Sequence, residues 1–246
     1  MNMNDIAIQA KQLSKKYGTK IVLDKLNLTV ASGEIFGLLG HNGAGKTTTV
    51  NIFTTLLEPS AGTATIGGFD VSNNSIEVQR VIGYLPENVQ FYDNLTLQEN
   101  LLYFARLSGI SKPEKRISQA LDFLDFLGHE KDRLITFSKG MRQRVGIAQA
   151  ILHEPKVLFL DEPTSGLDPQ GVKNLRTIIL RLNKELNMTI FMNTHLLSEV
   201  TKTCTSIGIL RAGKLIYKDT LQRTLKAFPD QASLEDIYLK IENQTG

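Results

Sequence analysis

Apolar and polar positions follow two different periods along this chain. In the first third the apolar positions come in short blocks or alternate. Ile6–Ala10 predicts a short strand, and Leu26, Leu28 and Val30 alternate with Asn27 and Thr29, the period of a half-buried strand. Ser32-Gly33 signals a turn. Glu34–Leu39 then predicts an apolar strand, followed by a glycine-rich turn and a helix starting near Gly45. Thr63–Ile66, between Gly62 and Gly67-Gly68, predicts another strand. From about Leu95 the spacing changes to threes and fours. Leu97, Leu101, Leu102 and Phe104 share a helical face, with Thr96 as N-cap and Glu99 three residues on, a capping-box pattern. Ile117, Leu121, Leu124 and Leu127 predict a second helix that stops at Gly128, and a third runs from about Gly140 to Leu152, ending before Pro155.

Beyond Pro155 strands and helices alternate again. Val157–Leu160 and Met188–Asn193 predict strands, and Val172–Leu182 and Leu196–Thr201 predict helices. Ile207–Leu210 and Lys214–Tyr217 form a predicted hairpin around Ala212-Gly213. Leu234–Ile241 predicts a final short amphipathic helix packed against the core. Continuous apolar strands alternating with helices imply a parallel sheet covered on both faces. Without internal repeats or low-complexity linkers, the expectation is one domain over residues 1–246. Residues 1–85 and 154–246 make its core, and residues 86–153 a helical insert.

Composition narrows the classes of function. Hydrophobic residues are 41% and charged residues 22% of the 246, as in an ordinary globular protein. The net charge of +3 is spread over mixed acidic and basic residues, with no basic face or tail of the kind nucleic-acid binders carry, so no nucleic-acid partner is expected. The single cysteine, Cys204, cannot form an internal disulfide and reads as a buried inert thiol. The N-terminal MNMNDIAIQA has no basic region followed by an apolar one, so it does not read as a secretory signal. A spanning helix needs about 20 apolar residues, and the longest apolar runs, such as Val157–Leu160, are far shorter. If this chain drives transport, another protein supplies the pathway.

The candidate chemistry lies at strand ends. Gly40-His41-Asn42-Gly43-Ala44-Gly45-Lys46-Thr47 matches the phosphate-loop pattern, with an apolar strand before it and a helix carrying Thr48, Val50, Ile52 and Leu56 after it. Glycine removes the Cβ atoms that would keep triphosphate oxygens from the backbone. Successive N–H groups then point into one concavity at the positive end of the helix. Lys46 is expected to reach the β- and γ-phosphates and the Thr47 hydroxyl to ligate Mg²⁺. Val157–Leu160 ends in Asp161-Glu162. Ligands in open α/β sheets bind at the carboxyl ends of strands, so Asp161 is expected to hold Mg²⁺, directly or through water. Glu162 is expected to point elsewhere, because neighbours on an extended segment alternate sides, and to orient or deprotonate the attacking water. His195, after Thr194 and the strand that follows the carboxylates, is expected to contact the γ-phosphate and position water and Glu162.

Further motifs carry a family resemblance. Phe137-Ser138-Lys139-Gly140-Met141-Arg142-Gln143-Arg144 resembles the signature motif of the ATP-binding-cassette (ABC) family, Ser165-Gly166-Leu167-Asp168 its D-loop, and Thr194-His195 its switch histidine. Tyr17 matches the aromatic residue that stacks on adenine, and Gly83-Tyr84-Leu85-Pro86-Glu87 occupies the Q-loop position. Lys139 and Met141 stand where the commonest signature has Gly and Gln, and Glu87 stands where the Q-loop usually has Gln.

The resemblance covers nearly the whole chain. It implies a P-loop NTPase (RecA-like) α/β core with an N-terminal antiparallel β-subdomain and an inserted α-helical subdomain. It also implies an ATPase sandwiching MgATP between two cassettes, as a homodimer or as a heterodimer with a related cassette. One cassette supplies the phosphate loop (Gly40–Thr47, with Thr48), Asp161, Glu162, His195 and Glu87, the last as a further Mg²⁺ ligand. The other supplies Ser138, Gly140 and Asp168. The helical insert and the segment around Glu87–Asn94 would relay closure to a transmembrane permease subunit, placing the chain on the cytoplasmic face of the cell membrane. The variant motifs resemble those of exporters of drugs, lipids, polysaccharides or ions with separate membrane subunits. The alternative is a soluble ATPase of the same family, such as one serving iron–sulphur assembly.

Overall fold

A computed structural model of the chain describes residues 6–244. Residues 1–5, part of the stretch judged for signal character, lie outside the described residues. The strands are β1 (Ile6–Tyr17), β2 (Lys20–Ala31), β3 (Ile35–Leu39), β4 (Ala61–Ile66), β5 (Phe69–Asp70), β6 (Ile82–Leu85), β7 (Val157–Asp161), β8 (Thr189–Asn193), β9 (Ser206–Arg211) and β10 (Lys214–Thr220). The helices are α1 (Lys46–Phe53), α2 (Ser75–Val81), α3 (Leu97–Leu107), α4 (Pro113–Phe123), α5 (Lys139–Ile151), α6 (Pro169–Leu186), α7 (Leu197–Thr203), α8 (Leu221–Ala227) and α9 (Leu234–Gln244).

Two sheets organise these elements. One is antiparallel, in the order β2-β1-β4-β5. The other is six-stranded, in the order β10-β9-β3-β8-β7-β6, and parallel except for the β9–β10 hairpin. Alternate residues of its central strands go to opposite faces. Phe36, Leu38, Val157, Phe159 and Phe191 join the core shared with β1, β2, β4 and α1. Ile35, Leu39, Leu158, Leu160, Ile190 and Met192 join the core beneath α3–α7 and α9. Both faces are therefore apolar, which is why these strands read as unbroken hydrophobic runs. On the first face the Phe191 ring lies 5.4 Å from that of Phe36 and 5.6 Å from that of Phe53. No helix among the described residues is long and apolar enough to cross a membrane. Cys204 is buried, and burial pushes its thiol up to about 12, so it stays protonated.

Several element boundaries differ from expectation. Helix α4 ends at Phe123 and does not continue to Gly128. Leu124 caps it, Asp125 takes a left-handed φ of 56°, and the Phe126 N–H returns to the Leu121 carbonyl at 2.8 Å. Phe126 takes the core position, stacked on Phe137 at 5.8 Å, and Leu127 points outward. Thus the three-residue spacing Leu121–Leu124–Leu127 outlasts the helix that produced it. Strand β6 and helices α2 and α8 were not expected: each is four to seven residues long, with too few apolar positions to display a period.

The expected capping box is present. The Thr96 side chain accepts from the Glu99 N–H, and the Glu99 carboxylate accepts from the Thr96 N–H at 2.8 Å. The Thr96 N–H, and after it the Thr96 hydroxyl, hold the Glu99 pKa below its usual value. Thr96→Ala is expected to cost about 1 kcal/mol and lower Tm by about 2–4 °C, read by thermal unfolding.

Candidate functional site

The site follows from one level of the parallel sheet. Asn193 of β8 pairs with Leu38 of β3 on one side and with Asp161 of β7 on the other. The turn after Leu39, the carboxylate pair after Leu160 and the Thr194-His195 segment therefore leave the sheet side by side, at the carboxyl ends of adjacent strands. Leu85 of β6 pairs with Leu160, so the chain toward Glu87 leaves from the same end. Ligands of open α/β sheets bind at such an end.

The phosphate loop is pressed between two strands. A Cβ on Gly40 would lie 2.3 Å from the Leu210 carbonyl of β9. One on Gly45 would lie 2.9 Å from the Val22 carbonyl and 2.8 Å from the Leu23 side chain, at a φ of 108°. The protein's own backbone therefore requires these two glycines, quite apart from any access they give a ligand. Around Gly43 the space is open. Lys46 is buried and donates to the Gly40 carbonyl at 2.6 Å and the His41 carbonyl at 3.2 Å. Burial lowers its pKa, opposed by the charges of Glu162 and Asp161. Thr47 is exposed at the start of α1 and Thr48 is half-buried.

Asp161 is also buried. Burial raises its pKa, reinforced by Glu87, while Asn193, Lys46 and the Tyr84 hydroxyl hold it down. Burial first, then the charge of Asp161 and a hydrogen bond to it, push Tyr84 up to about 12, so Tyr84 is a neutral donor to Asp161. The Asn193 Oδ1 accepts from the Glu162 N–H at 3.0 Å. Its Nδ2 faces Asp161 without a hydrogen bond of good geometry. Sequence reasoning missed both Asn193 and Tyr84; the available signal was a polar group placed at or near the end of an apolar strand.

Glu162 does diverge from Asp161, but not by strand alternation. Its backbone is left-handed, with a φ of 47°, a conformation that costs about 1–3 kcal/mol and recurs at functional sites. Two acceptors on Asn193 hold its N–H, the carbonyl at 3.1 Å and Oδ1 at 3.0 Å. The reversal brings Glu162 Oε2 to 2.8 Å from His195 Nδ1. With a carboxylate as acceptor, Nδ1 carries the proton and Nε2 is left for another partner. The Glu162 side chain is 13% exposed and that of His195 56%, so the pair spans the boundary between the sheet end and solvent.

The other expected residues fall into two places. Tyr17 ends β1 half-exposed, with Lys15 Nζ 5.3 Å from the centre of its ring. Ser138 caps α5, its Oγ accepting from the Met141 N–H at 3.3 Å, and Asp168 caps α6, accepting from the Gly171 N–H at 3.0 Å. These two helix starts touch: a Cβ on Gly140 would lie 3.9 Å from Leu167, and Lys139 Nζ covers Gly166. No hydrogen bond or ion pair among the described residues joins Ser138, Gly140 or Asp168 to the phosphate loop. The chain therefore gathers the loop, Asp161, Glu162, His195 and Glu87 at one place, and groups Ser138, Gly140 and Asp168 at another.

The donor set suits a metal–nucleotide complex better than a bare ion. Among the described residues no three His, Cys, Asp or Glu side chains converge on one point. Magnesium usually takes one or two carboxylates and completes its shell with substrate phosphates and water. Buried Asp161, exposed Glu87 and the Thr47 hydroxyl can supply the protein's share, and the Asn193 Nδ2 is a spare buried donor beside them. A groove of about 850 Å³ lies at the opposite, amino-terminal ends of β7 and β8, lined in part by Val157, Thr189 and Arg116. Its size alone does not make it the site, since the loop and the carboxylates are at the far end of the strands.

Comparison with known proteins gives concordant results. The family model described as ABC transporter matches residues 23–165. The bacitracin transport ATP-binding protein BcrA of Bacillus licheniformis is 45% identical over 210 residues, 85% of this chain and 68% of that protein. The linearmycin resistance ATP-binding protein LnrL of Bacillus subtilis is 35% identical over 211 residues, 85% of this chain and 68% of that protein. A solved structure described as an ATP-binding subunit of an ABC transporter superposes with a TM-score of 0.83 at 33% identity, covering 96% of this chain and 99% of that one.

A raised pKa for Asp161 has a consequence for stability. The folded chain holds that proton more tightly than the unfolded chain, so stability falls as pH rises from 3.8 through the folded value. At neutral pH without nucleotide, Asp161→Asn is expected to unfold at a higher temperature than the parent. The gain should shrink as pH approaches 3.8; thermal unfolding at a series of pH values reads it.

Proposed function

The chain belongs to the ABC transporter family as an ATP-binding, ATP-hydrolysing subunit, and from that premise we propose how its residues carry the reaction and what it drives. The reading rests chiefly on one observation. Glu162 and His195 pair at 2.8 Å beside buried Asp161, at the strand ends that also carry the phosphate loop.

The loop N–H groups from Gly40 to Thr48 receive the phosphate oxygens. Lys46 turns from its loop carbonyls to the β- and γ-phosphates. Thr47, Asp161 and Glu87 are the residues that would hold magnesium, which would supply positive charge against the triphosphate. Glu162 accepts the proton of the attacking water, and its left-handed backbone and its bond to His195 fix its aim. His195, with its Nδ1–H committed to Glu162, reaches a γ-phosphate oxygen by donating an Nε2–H, and so acts there in its doubly protonated form. Tyr17 stacks on the adenine ring, an interaction tolerant of base identity.

Ser138, Gly140 and Asp168 act on the ATP of a second cassette. Their separation from the loop supports this, as does the start of α5, where free N–H groups and the helix dipole favour an anionic oxygen. ATP then bridges two copies, and loss of the γ-phosphate releases them. A closure of this kind drives a separate membrane-spanning permease, with the chain peripheral on the cytoplasmic face. Efflux is the proposed direction, supported by likeness to the linearmycin resistance ATP-binding protein.

Glu162→Gln is expected to keep ATP affinity, lose turnover by about two orders of magnitude or more, and accumulate as ATP-bound dimers. Phosphate release and light scattering measure the two effects; normal turnover would remove Glu162 from the catalytic role. Lys46→Ala is expected to weaken ATP binding by about ten- to a hundredfold, read by calorimetry.

A further inference from the structure

The C-terminal helix does more than cover the core. Its apolar face, Leu234, Ile237, Tyr238 and Ile241, is buried and accounts for its docking. Glu242 is buried too, although packing gives a carboxylate no reason to be there, and a buried acid needs polar partners. It has two. Tyr238 Oη donates to Oε1 at 2.8 Å, and His41 Nε2 meets Oε2 at 2.6 Å. The Tyr238 ring also meets the His41 ring edge-on at 5.5 Å. Burial, then the Glu242 hydrogen bond and charge, push the Tyr238 pKa up, so its hydroxyl stays a donor. Arg211, one residue beyond the Leu210 carbonyl on which Gly40 rests, donates to the Glu242 carbonyl.

His41 is the second residue of the phosphate loop, and its carbonyl accepts from Lys46 Nζ. A line of contacts thus runs from α9 through Glu242 and His41 to the amine that meets the phosphates. We propose that Glu242 and Tyr238 are positioning residues of the nucleotide site, holding the phosphate loop through His41. The proposal rests on the nucleotide-binding reading of that loop. Neither residue contacts ATP; they fix one edge of the loop, while Gly40 and Gly45 fix its packing against β9 and β2.

The His41 side chain is 68% exposed, so solvent screens the pair and the effect is modest. In the full chain, Glu242→Gln is expected to raise the Kd for MgATP about three- to fivefold, with Tm little changed. Tyr238→Phe, which keeps the ring, is expected to move Kd in the same direction by less. A double-mutant cycle separates positioning from general loosening of the helix. In a His41→Asn background, Glu242→Gln should have no further effect on Kd. Equal Kd values for Glu242→Gln and the parent, or an undiminished Glu242→Gln effect in the His41→Asn background, would overturn the proposal. If the parent binds no MgATP, or Lys46→Ala binds it as tightly as the parent, the reading beneath it falls as well.

Discussion

The pairing of Asn193 with Leu38 and Asp161 is the constraint on which everything else depends. Strand side chains alternate, so a slip of β7 by one residue against β8 would send Phe159 to the wrong face and turn Asp161 away from the loop. The two apolar cores forbid that slip, since each takes alternate residues of the same strands. Burial on both faces therefore sets the register, and the register sets the site. Asn193 is both a rung of the sheet and a clasp, since its carbonyl and Oδ1 receive the Glu162 N–H and its Nδ2 faces Asp161.

The parts legible in the sequence were those whose cause is local. The apolar runs of β3, β7 and β8 announced a sheet buried on both faces, and the phosphate loop and Asp161-Glu162 stood at the ends of those runs. Thr96 and Glu99 announced a helix start because the capping box is a three-residue device. What escaped notice had causes distant in the chain. Tyr84 matters because β6 lies beside β7. The left-handed turn at Glu162 depends on Asn193, on a neighbouring strand. His41 and Glu242 stand 201 residues apart in the chain, and only the folded topology brings them together. The end of α4 was misplaced for another reason: a leucine spacing describes a face only while the backbone remains helical, and Asp125 ends that.

Electrostatics at the site run against the stability of the bare protein. Burial drives Lys46 and Asp161 both toward their neutral forms, and each resists through attraction to opposite charge nearby. Glu87 makes matters worse for Asp161. A fold selected for stability alone would replace such a group with apolar side chains. In the function proposed for this site, a magnesium triphosphate would answer both charges together, anion against Lys46 and cation against Asp161 and Glu87. The strained Glu162 belongs to the same balance, its backbone cost borne where aim matters.

The two clusters of site residues are distinct but mechanically joined. Gln143, buried in α5, donates to the Pro163 carbonyl at 3.1 Å, directly after Glu162. Arg142, one residue earlier, pairs with Asp93 at 2.7 Å, and its guanidinium lies 5.7 Å from the centre of the Phe91 ring. A Cβ on Gly146 would strike Leu85 at 2.4 Å, so α5 lies directly on β6 as the chain leaves toward Glu87. The helix whose first turn carries Ser138 and Gly140 is thus bound to the carboxylate strand and to the 87–94 segment at once. Packed interiors transmit displacement because they leave little room to absorb it. A pull on the start of α5 must therefore be felt both beside Glu162 and in the segment after β6. One rigid helix with two such attachments is the least machinery by which hydrolysis at one end could become movement at the other.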